Sequence, residues 1–333
     1  MSNGENSFGS MRDWTIIVNP ASSGGKTKST WPSTFEQLCA IAAQMGYEHP
    51  TEARVLESMG MGSATDLTRK VLREGAKVVV AVGGDGTLSE VMEGFFEPDT
   101  DEMINEEAVI GYLQSGTGSD FRRTLGWQNQ DLQEWIVRLL RRQTKKLDIC
   151  GSCFTGTDGT IKKRHFINMS SCGVSASIAK LANEKYKMFG PNLTYIMASF
   201  GGFMQFSPFK VRIKVDDKDW IEHEEVTFIT ICNGKFFGGG MKICPPADPF
   251  DGYIHLVVYK GVDFLTFLIS LPKLLGGEGI LDSNSIFVEK VKTCDIQVEE
   301  KDKGKVNMEL DGESIAVLPA QFHILPERMH MIM

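Results

Sequence analysis

Apolar positions in the first half of the chain follow two alternating rhythms. Short uninterrupted runs, Thr15-Ile16-Ile17-Val18, Val78 to Val82 and Val109 to Leu113, have the length and β-branched content of strands covered on both faces. Between them apolar residues recur every three or four positions: Phe35, Leu38, Ile41 and Ala42 within Ser29 to Met45, and Leu67, Val71 and Leu72 within Ala64 to Arg73. Leu88 to Phe96 and Leu132 to Arg142 keep the same period, so all four segments are predicted to be helices. Ala53 to Leu56 reads as a weaker strand. This alternation predicts an N-terminal doubly wound α/β domain with a parallel sheet, whose ligands bind beyond the carboxyl ends of the strands. Two glycine-rich turns, Gly83 to Thr87 and Gly116 to Phe121, fall at such ends.

From about Asp148 the rhythm changes. Strand-like runs dominate: Arg164 to Met169, Lys210 to Val215, Val226 to Cys232, Tyr253 to Tyr259, Ser285 to Val291, Cys294 to Val298 and Val306 to Leu310. Helical pieces are expected at Ser175 to Lys187, Leu193 to Met204 and Phe264 to Leu275. This half is predicted to be a C-terminal antiparallel, β-sandwich-like domain with appended helices. The chain of 333 residues is long enough for two such domains.

Charge narrows the function classes. Asp and Glu number 43 against 35 Lys and Arg, a net charge of -8, which argues against a general nucleic-acid binder. Cys150 and Cys153 form a lone CxxC among seven scattered cysteines, so reduced, buried thiols are expected rather than a disulfide framework or a zinc site. Met1 to Ser10 lack an apolar secretory core, and the most apolar stretch, Val262 to Leu275, is broken by Asp263, Pro272 and Lys273. The expectation is a cytoplasmic protein without a membrane span.

Gly83-Gly84-Asp85-Gly86-Thr87, between a buried strand and a helix, is the strongest chemical signal. Glycines admit close approach of backbone N–H groups to phosphate oxygens, and the helix N-terminus adds positive potential. Asp85 would repel bare phosphate, so it points to a metal, a water relay or a hydroxyl to be activated. Gly25-Lys26-Thr27 imitates the end of a P-loop, yet Pro20 stands where that pattern needs its first glycine. Gly116-Thr117-Gly118-Ser119-Asp120 offers a second phosphate contact and a second carboxylate.

Val18-Asn19-Pro20, GGDGT at Gly83 to Thr87, GTGSD at Gly116 to Asp120 and the late Asp311-Gly312-Glu313 occur in an order that resembles the diacylglycerol kinase catalytic-domain family, which includes diacylglycerol, sphingosine and ceramide kinases. Asn168 to Gly173, Gly238 to Met241 and Pro246 to Gly252 extend the resemblance over roughly residues 14 to 320. It implies a nucleotide domain over residues 12–147, completed by 318–333, and a lipid-substrate domain over 148–317. It also implies an ATP site lined by Asn19, Pro20, Ala21, Ser22 and Ser23, by Ser58, by Gly84, Asp85, Gly86, Thr87, Leu88, Ser89 and Glu90, and by Thr117. Asp85, Asp120 and Asp148 would organise catalytic Mg²⁺ through water; Asp248, Asp251 and the carbonyl of Tyr253 resemble a separate structural Mg²⁺ site.

The implied reaction is transfer of the γ-phosphoryl group of ATP to a lipid hydroxyl, on diacylglycerol or a sphingoid base or ceramide, with transient peripheral membrane contact and no nucleic-acid partner. The proton acceptor is either the Asp311/Glu313 pair or Asp85; the pair is preferred because Asp85 is then left to hold metal. Ser119 replaces the asparagine usual in the family, which puts nucleotide affinity in question. Phe200, Phe203, Phe206 and Phe209, with Met197 and Met204, read either as core or as the lining of an acyl channel. The alternatives are an NAD kinase or phosphofructokinase-like kinase, which shares GGDGT, and a non-catalytic nucleotide- or lipid-binding relative.

Overall fold

The computed structural model describes residues 10–115, 119–127, 130–156, 159–181, 191–278 and 285–333. The chain divides into two compact units. Met1–Ser119, Trp127–Leu147 and Arg328–Met333 form the first; Asp120–Gly126 and Asp148–Glu327 form the second. Both architectures agree with the fold class read from the sequence.

The elements as far as Arg141 are β1 (Trp14–Val18), α1 (Lys26–Gln44), β2 (Arg54–Glu57), α2 (Ser63–Arg73), β3 (Val78–Gly83), α3 (Asp85–Glu93), β4 (Val109–Gln114), α4 (Asp120–Thr124), which belongs to the second unit, and α5 (Leu132–Arg141). All residues of β1 and β3 are buried, as their unbroken apolar runs require. In the first unit β1 pairs in parallel with β2 on one side and β3 on the other, and β3 pairs in parallel with β4. The chain therefore moves outward from β1 in both directions. The ends of β1 and β3 form the topological switch point where ligands of such sheets bind.

The second unit holds β5 (Thr144–Thr155) from Asp148 on, then β6 (Ile161–Phe166), β7 (Met169–Gly173), α6 (Val174–Leu181), α7 (Pro191–Gln205), β8 (Phe209–Val215) and β9 (Ile221–Cys232). There follow β10 (Phe236–Phe237), β11 (Met241–Lys242), β12 (Ile254–Lys260), α8 (Phe264–Gly276), β13 (Ile286–Val291), β14 (Thr293–Val298), β15 (Asn307–Leu310), β16 (Glu313–Val317) and β17 (Ala320–Ile332). The strands run antiparallel in the order β16-β15-β7-β9-β8-β14, with β12 also on β9 and β13 on β12. Side-chain alternation divides β12: Ile254, Leu256 and Val258 enter one core, while Val257 and Tyr259 enter a second with Leu274 of α8.

Three departures from the sequence reading have physical causes. The expected strand Arg164 to Met169 breaks after Phe166, because the N–H groups of Ile167, Asn168 and Met169 all turn to the Asp311 carboxylate. Strands β5 and β17 were not expected; Lys145, Lys146 and Asp148 mask the apolar alternation of the first, and Pro326 and Glu327 interrupt the second. The return to the first unit lies at Arg328 and not at residue 318, because residues 320 to 323 of β17 pair with β14.

The last residues complete the first unit: His330 and Met331 pair in parallel with Val109 and Ile110 of β4, and Met329, Met331 and Ile332 are buried. Ending the chain at Glu327 removes these three side chains, worth about 1.5–3 kcal/mol each. The truncated protein is expected to lose cooperative unfolding of this unit by calorimetry; an unchanged transition would show that β4 needs no partner there.

Candidate active site

In the first unit the chain leaves β1 at Asn19 and β3 at Gly84. Asn19 joins the two exits: its N–H donates to the Val82 carbonyl (2.9 Å), its Nδ2 to Thr87 Oγ1 (2.9 Å), and its Oδ1 accepts from the Ala21 N–H (3.0 Å). Ser58, buried just past β2, donates its N–H to the Val18 carbonyl at 2.8 Å. Gly83 is required by close packing, since a Cβ there would lie 2.3 Å from Thr87 Oγ1. At Gly84 and Gly86, by contrast, a Cβ would meet nothing within 4 Å, so this part of the turn opens outward.

Neither helix that begins here carries a side-chain cap. Gly84 is the N-cap of α3 and Gly25 that of α1, and neither supplies an acceptor to the first turn. Ser23, Gly24 and Gly25 take positive φ in succession, a backbone shape that turns successive N–H groups toward one side. A glycine N-cap in place of Ser, Thr, Asn or Asp forgoes roughly a few tenths of a kcal/mol. An anion at the helix N-terminus supplies the missing acceptor and gains from the helix dipole as well. Thr27, the threonine of the P-loop-like run, is buried and bonded to Ser22 Oγ and Ser115 Oγ, each at 2.6 Å. Its hydroxyl ties the first loop to the end of β4.

Several expected lining residues contribute support rather than a side chain to the turn. Leu88 is fully buried. Glu90 Oε2 accepts from the Ala64 N–H (3.0 Å) and so caps α2. Pro20, Ala21, Ser22, Ser23 and Ser89 are partly or fully exposed. Thr117 lies outside the described residues. Ser119 is buried at φ 64°, with its hydroxyl 3.3 Å from Tyr112 Oη. Asparagine tolerates this left-handed region better than serine, which gives a backbone reason for the asparagine of the resembled motif.

In the second unit the conspicuous carboxylates bind the chain itself. Asp120 pairs with Arg123 through Oδ1 (2.8 Å) and accepts from Gly239 N–H through Oδ2 (2.8 Å); burial is the main cause of its raised pKa. It thus fixes a turn in which Gly238, Gly239 and Gly240 all have positive φ, the reason for three consecutive glycines. Asp148 accepts from Glu327 N–H and Gly252 N–H, both at 2.7 Å, and burial raises its pKa too. Asp311 accepts three amides, from Ile167 (2.9 Å), Asn168 (3.0 Å) and Met169 (2.9 Å). Asp311 and Gly312 take positive φ and join β15 to β16, so the motif is also a hairpin turn. Glu313 is half-buried with Arg164 Nη2 3.9 Å away.

Among the described residues no three acidic, histidine or cysteine side chains are placed to hold a metal ion. Within the second unit, both oxygens of Asp120 and of Asp148 accept hydrogen bonds from the chain. Asp85, in the first turn of α3, is the carboxylate at the glycine turn, and one or two carboxylates with substrate phosphates are the usual protein share of a Mg²⁺ site. Asp248, Asp251 and Tyr253 do share a loop, but Asp248 accepts from Phe250 N–H (3.2 Å) and Asp251 from Tyr253 N–H (3.1 Å). Lys290 Nζ lies 2.9 Å from Asp251 and 4.4 Å over the Tyr253 ring, so a side-chain cation already answers that charge. These residues do not call for a structural metal.

Residues 13–152 match the diacylglycerol kinase catalytic domain, and residues 168–333 match the YegS C-terminal NAD kinase beta sandwich-like domain. The chain belongs to the diacylglycerol kinase catalytic-domain family. The diacylglycerol kinase of Bacillus subtilis (strain 168) is 25% identical over 323 residues, 97% of each chain. The probable lipid kinase YegS of Escherichia coli (strain SMS-3-5 / SECEC) is 27% identical over 266 residues, 80% of this chain and 81% of that one. The crystal structure of a diacylglycerol kinase from Bacillus anthracis str. Sterne matches with a TM-score of 0.66 at 22% identity, over 96% of both chains, and shows the shared fold.

One group in this family member escaped the sequence reading. Glu309, on β15, is wholly buried; its Oε2 accepts from the Gly312 N–H at 2.5 Å, and Ser171 is its other polar neighbour. Burial pushes its pKa up from 4.5 to about 8. An acid between Met308 and Leu310 in a strand-like run is the signal that could have found it.

Two predictions follow from this geometry. Asn19→Leu removes the Asn19–Thr87 link, and the dissociation constant for ATP should rise about tenfold by calorimetry with little change in melting temperature. Equal affinity in the variant would show that the loops hold their shape without the link. Glu309 binds its proton more tightly in the folded state, so its contribution to stability is complete below about pH 4.5 and fades as pH rises through about 8. Between those limits the wild type should lose stability relative to Glu309→Gln, by up to about 1.4 kcal/mol per pH unit. Parallel denaturation curves at pH 5 and pH 8 would refute a neutral Glu309.

Proposed function

We propose that this chain is an ATP-dependent lipid kinase that transfers the γ-phosphoryl group of ATP to a hydroxyl of diacylglycerol or of a sphingoid base or ceramide. The observation that carries the reading is the open, uncapped start of α3 at the switch point of a parallel sheet, in a chain of this family. Glycine-turn amides would hold the β- and γ-phosphates, with the uncapped start of α1 as a second anion contact. Mg²⁺ carried with the nucleotide would spread the charge of the transferred group, and Asp85 would hold it. The lipid oxygen attacks phosphorus, the bond to the β-phosphate oxygen breaks, and ADP leaves. The proton of the attacking hydroxyl goes to a carboxylate of the Asp311/Glu313 pair. Because Asp311 spends its lone pairs on three amides, Glu313 is the acceptor and Asp311 its anchor.

For the acyl portion, a cavity of about 40 Å³ in the second unit is lined by Val174, Ile178, Phe203, Phe228, Met241 and Phe267. Of the phenylalanines singled out in the sequence, Phe203 lines it, while Phe206 and Phe209 pack on each other 5.9 Å apart. Among the described residues no helix is long and apolar enough to cross a membrane. The resemblance to lipid kinases supports a cytoplasmic enzyme acting at membrane surfaces.

γ-Labelled ATP offered with diacylglycerol, sphingosine, ceramide, NAD and fructose 6-phosphate tests the reading. Label in a lipid supports it; label only in NAD or the sugar, or in no acceptor, overturns it. Asp85→Asn should lower turnover by about 100-fold or more with the fold intact. Glu313→Gln should cost about 10²–10⁴ in turnover at unchanged stability, whereas Asp311→Asn should chiefly destabilise, by about 1–3 kcal/mol. The reverse pattern in those two variants would exchange their roles.

A further inference from the structure

Helix α8 is apolar all round. Phe264, Leu265, Phe267, Leu268, Ile269, Leu271, Leu274 and Leu275 lie within its thirteen residues, yet Leu274 is its one fully buried side chain. A helix of that composition belongs in a core or in lipid. Its two faces have different surroundings. Phe264, Phe267, Leu271 and Leu274 recur at helical spacing on the side that meets α7 and the sheet, where the Phe203 ring lies 5.9 Å from Phe264 and 5.7 Å from Phe267. Leu265, Leu268, Ile269 and Leu275 recur on the other side, 64%, 36%, 69% and 55% exposed.

Helix α7 extends this surface. Phe200 and Met204 are 53% and 70% exposed, and the Phe200 ring packs 5.4 Å from that of Phe264, which makes the two helices one continuous apolar patch. Scattered exposed apolar residues are ordinary; a contiguous patch of six marks an interaction site.

We propose that the α7–α8 face is the surface by which this chain docks on a lipid bilayer. The inference rests on the lipid-kinase reading and deepens it by naming the membrane contact. Charge selects the occupant: the 28 residues of α7 and α8 contain no acid and one base, Lys273, in a chain whose net charge is -8. At the ends of α8 the Lys242 side chain lies beside Gly277, Glu278 follows it, and Asp263 caps the first turn, so the patch is rimmed by balanced charge. An apolar face whose few flanking charges balance, in an acidic chain, fits acyl chains and their headgroups better than a charged partner. Position agrees with charge. Phe203 and Phe267 line the small apolar cavity from α7 and α8, so the helices that face outward to lipid also cover the space assigned to an acyl chain. That cavity is far too small for a whole chain, and contact of both helices with lipid would supply the apolar surroundings they need in order to part.

The test is flotation of the full chain with vesicles of phosphatidylcholine and phosphatidylglycerol, comparing wild type with the double variant Leu265→Ser, Ile269→Ser. Both side chains are exposed, so the melting temperature should be retained. The vesicle-bound fraction should fall about tenfold or more. Activity on long-chain diacylglycerol in vesicles should fall further than activity on a short-chain diacylglycerol dissolved as a monomer. Equal flotation of wild type and variant overturns the proposal. So does light scattering that finds a wild-type dimer and a monomeric variant with no vesicle binding, which would make the face an interface between copies. Loss of flotation in the variant, with no phosphorylation of any lipid by wild type, would support the docking surface while removing the kinase reading.

Discussion

Every backbone N–H at a turn or helix start must find an acceptor, and the two units of this chain meet that demand in opposite ways. In the second unit, side-chain carboxylates supply the acceptors. Asp120 holds Gly239, Asp148 holds Gly252 and Glu327, and Asp311 holds three consecutive amides. In the first unit, the glycine N-caps supply no side-chain acceptor to the starts of α1 and α3. The first arrangement makes rigid loops that need no ligand. The second makes a place where an anion completes the structure.

This division changes how the acidic residues should be read. Carboxylates in glycine-rich settings resemble a metal site by sequence, yet Asp120, Asp148 and Asp311 each accept two or three hydrogen bonds from the chain itself. Asp85 stands apart in the first turn of α3, and Glu313 faces the Arg164 guanidinium at 3.9 Å. Glu309 is a third kind of acid. Its burial keeps it protonated near neutral pH, and its Oε2 tethers Gly312 in the same turn.

Much of the first unit was legible in the chain because its strands are buried on both faces, so Val78 to Val82 can be little else. The switch point followed, since the glycine turn sits directly after that run. The second unit was legible as β structure but not in detail. Strand β5 begins Lys145-Lys146, whose charges face outward and hide the buried Leu147 and Ile149, and β17 carries a proline and a left-handed Glu327. What the acids bind was not legible at all, because Asp311 meets residues more than 140 positions away. No local pattern distinguishes a carboxylate that anchors amides from one that binds metal.

The central claim is that the starts of α1 and α3 hold the phosphates of a nucleotide. Amide hydrogen exchange with and without saturating ATP tests it most directly. Protection is expected at residues 23–24 and 84–87, with little change at Ser22, Gly25, Lys26 and Leu88 or at the Asp120, Asp148 and Asp311 contacts, whose amides are already bonded. Nucleotide binding that leaves both helix starts unprotected would contradict the account.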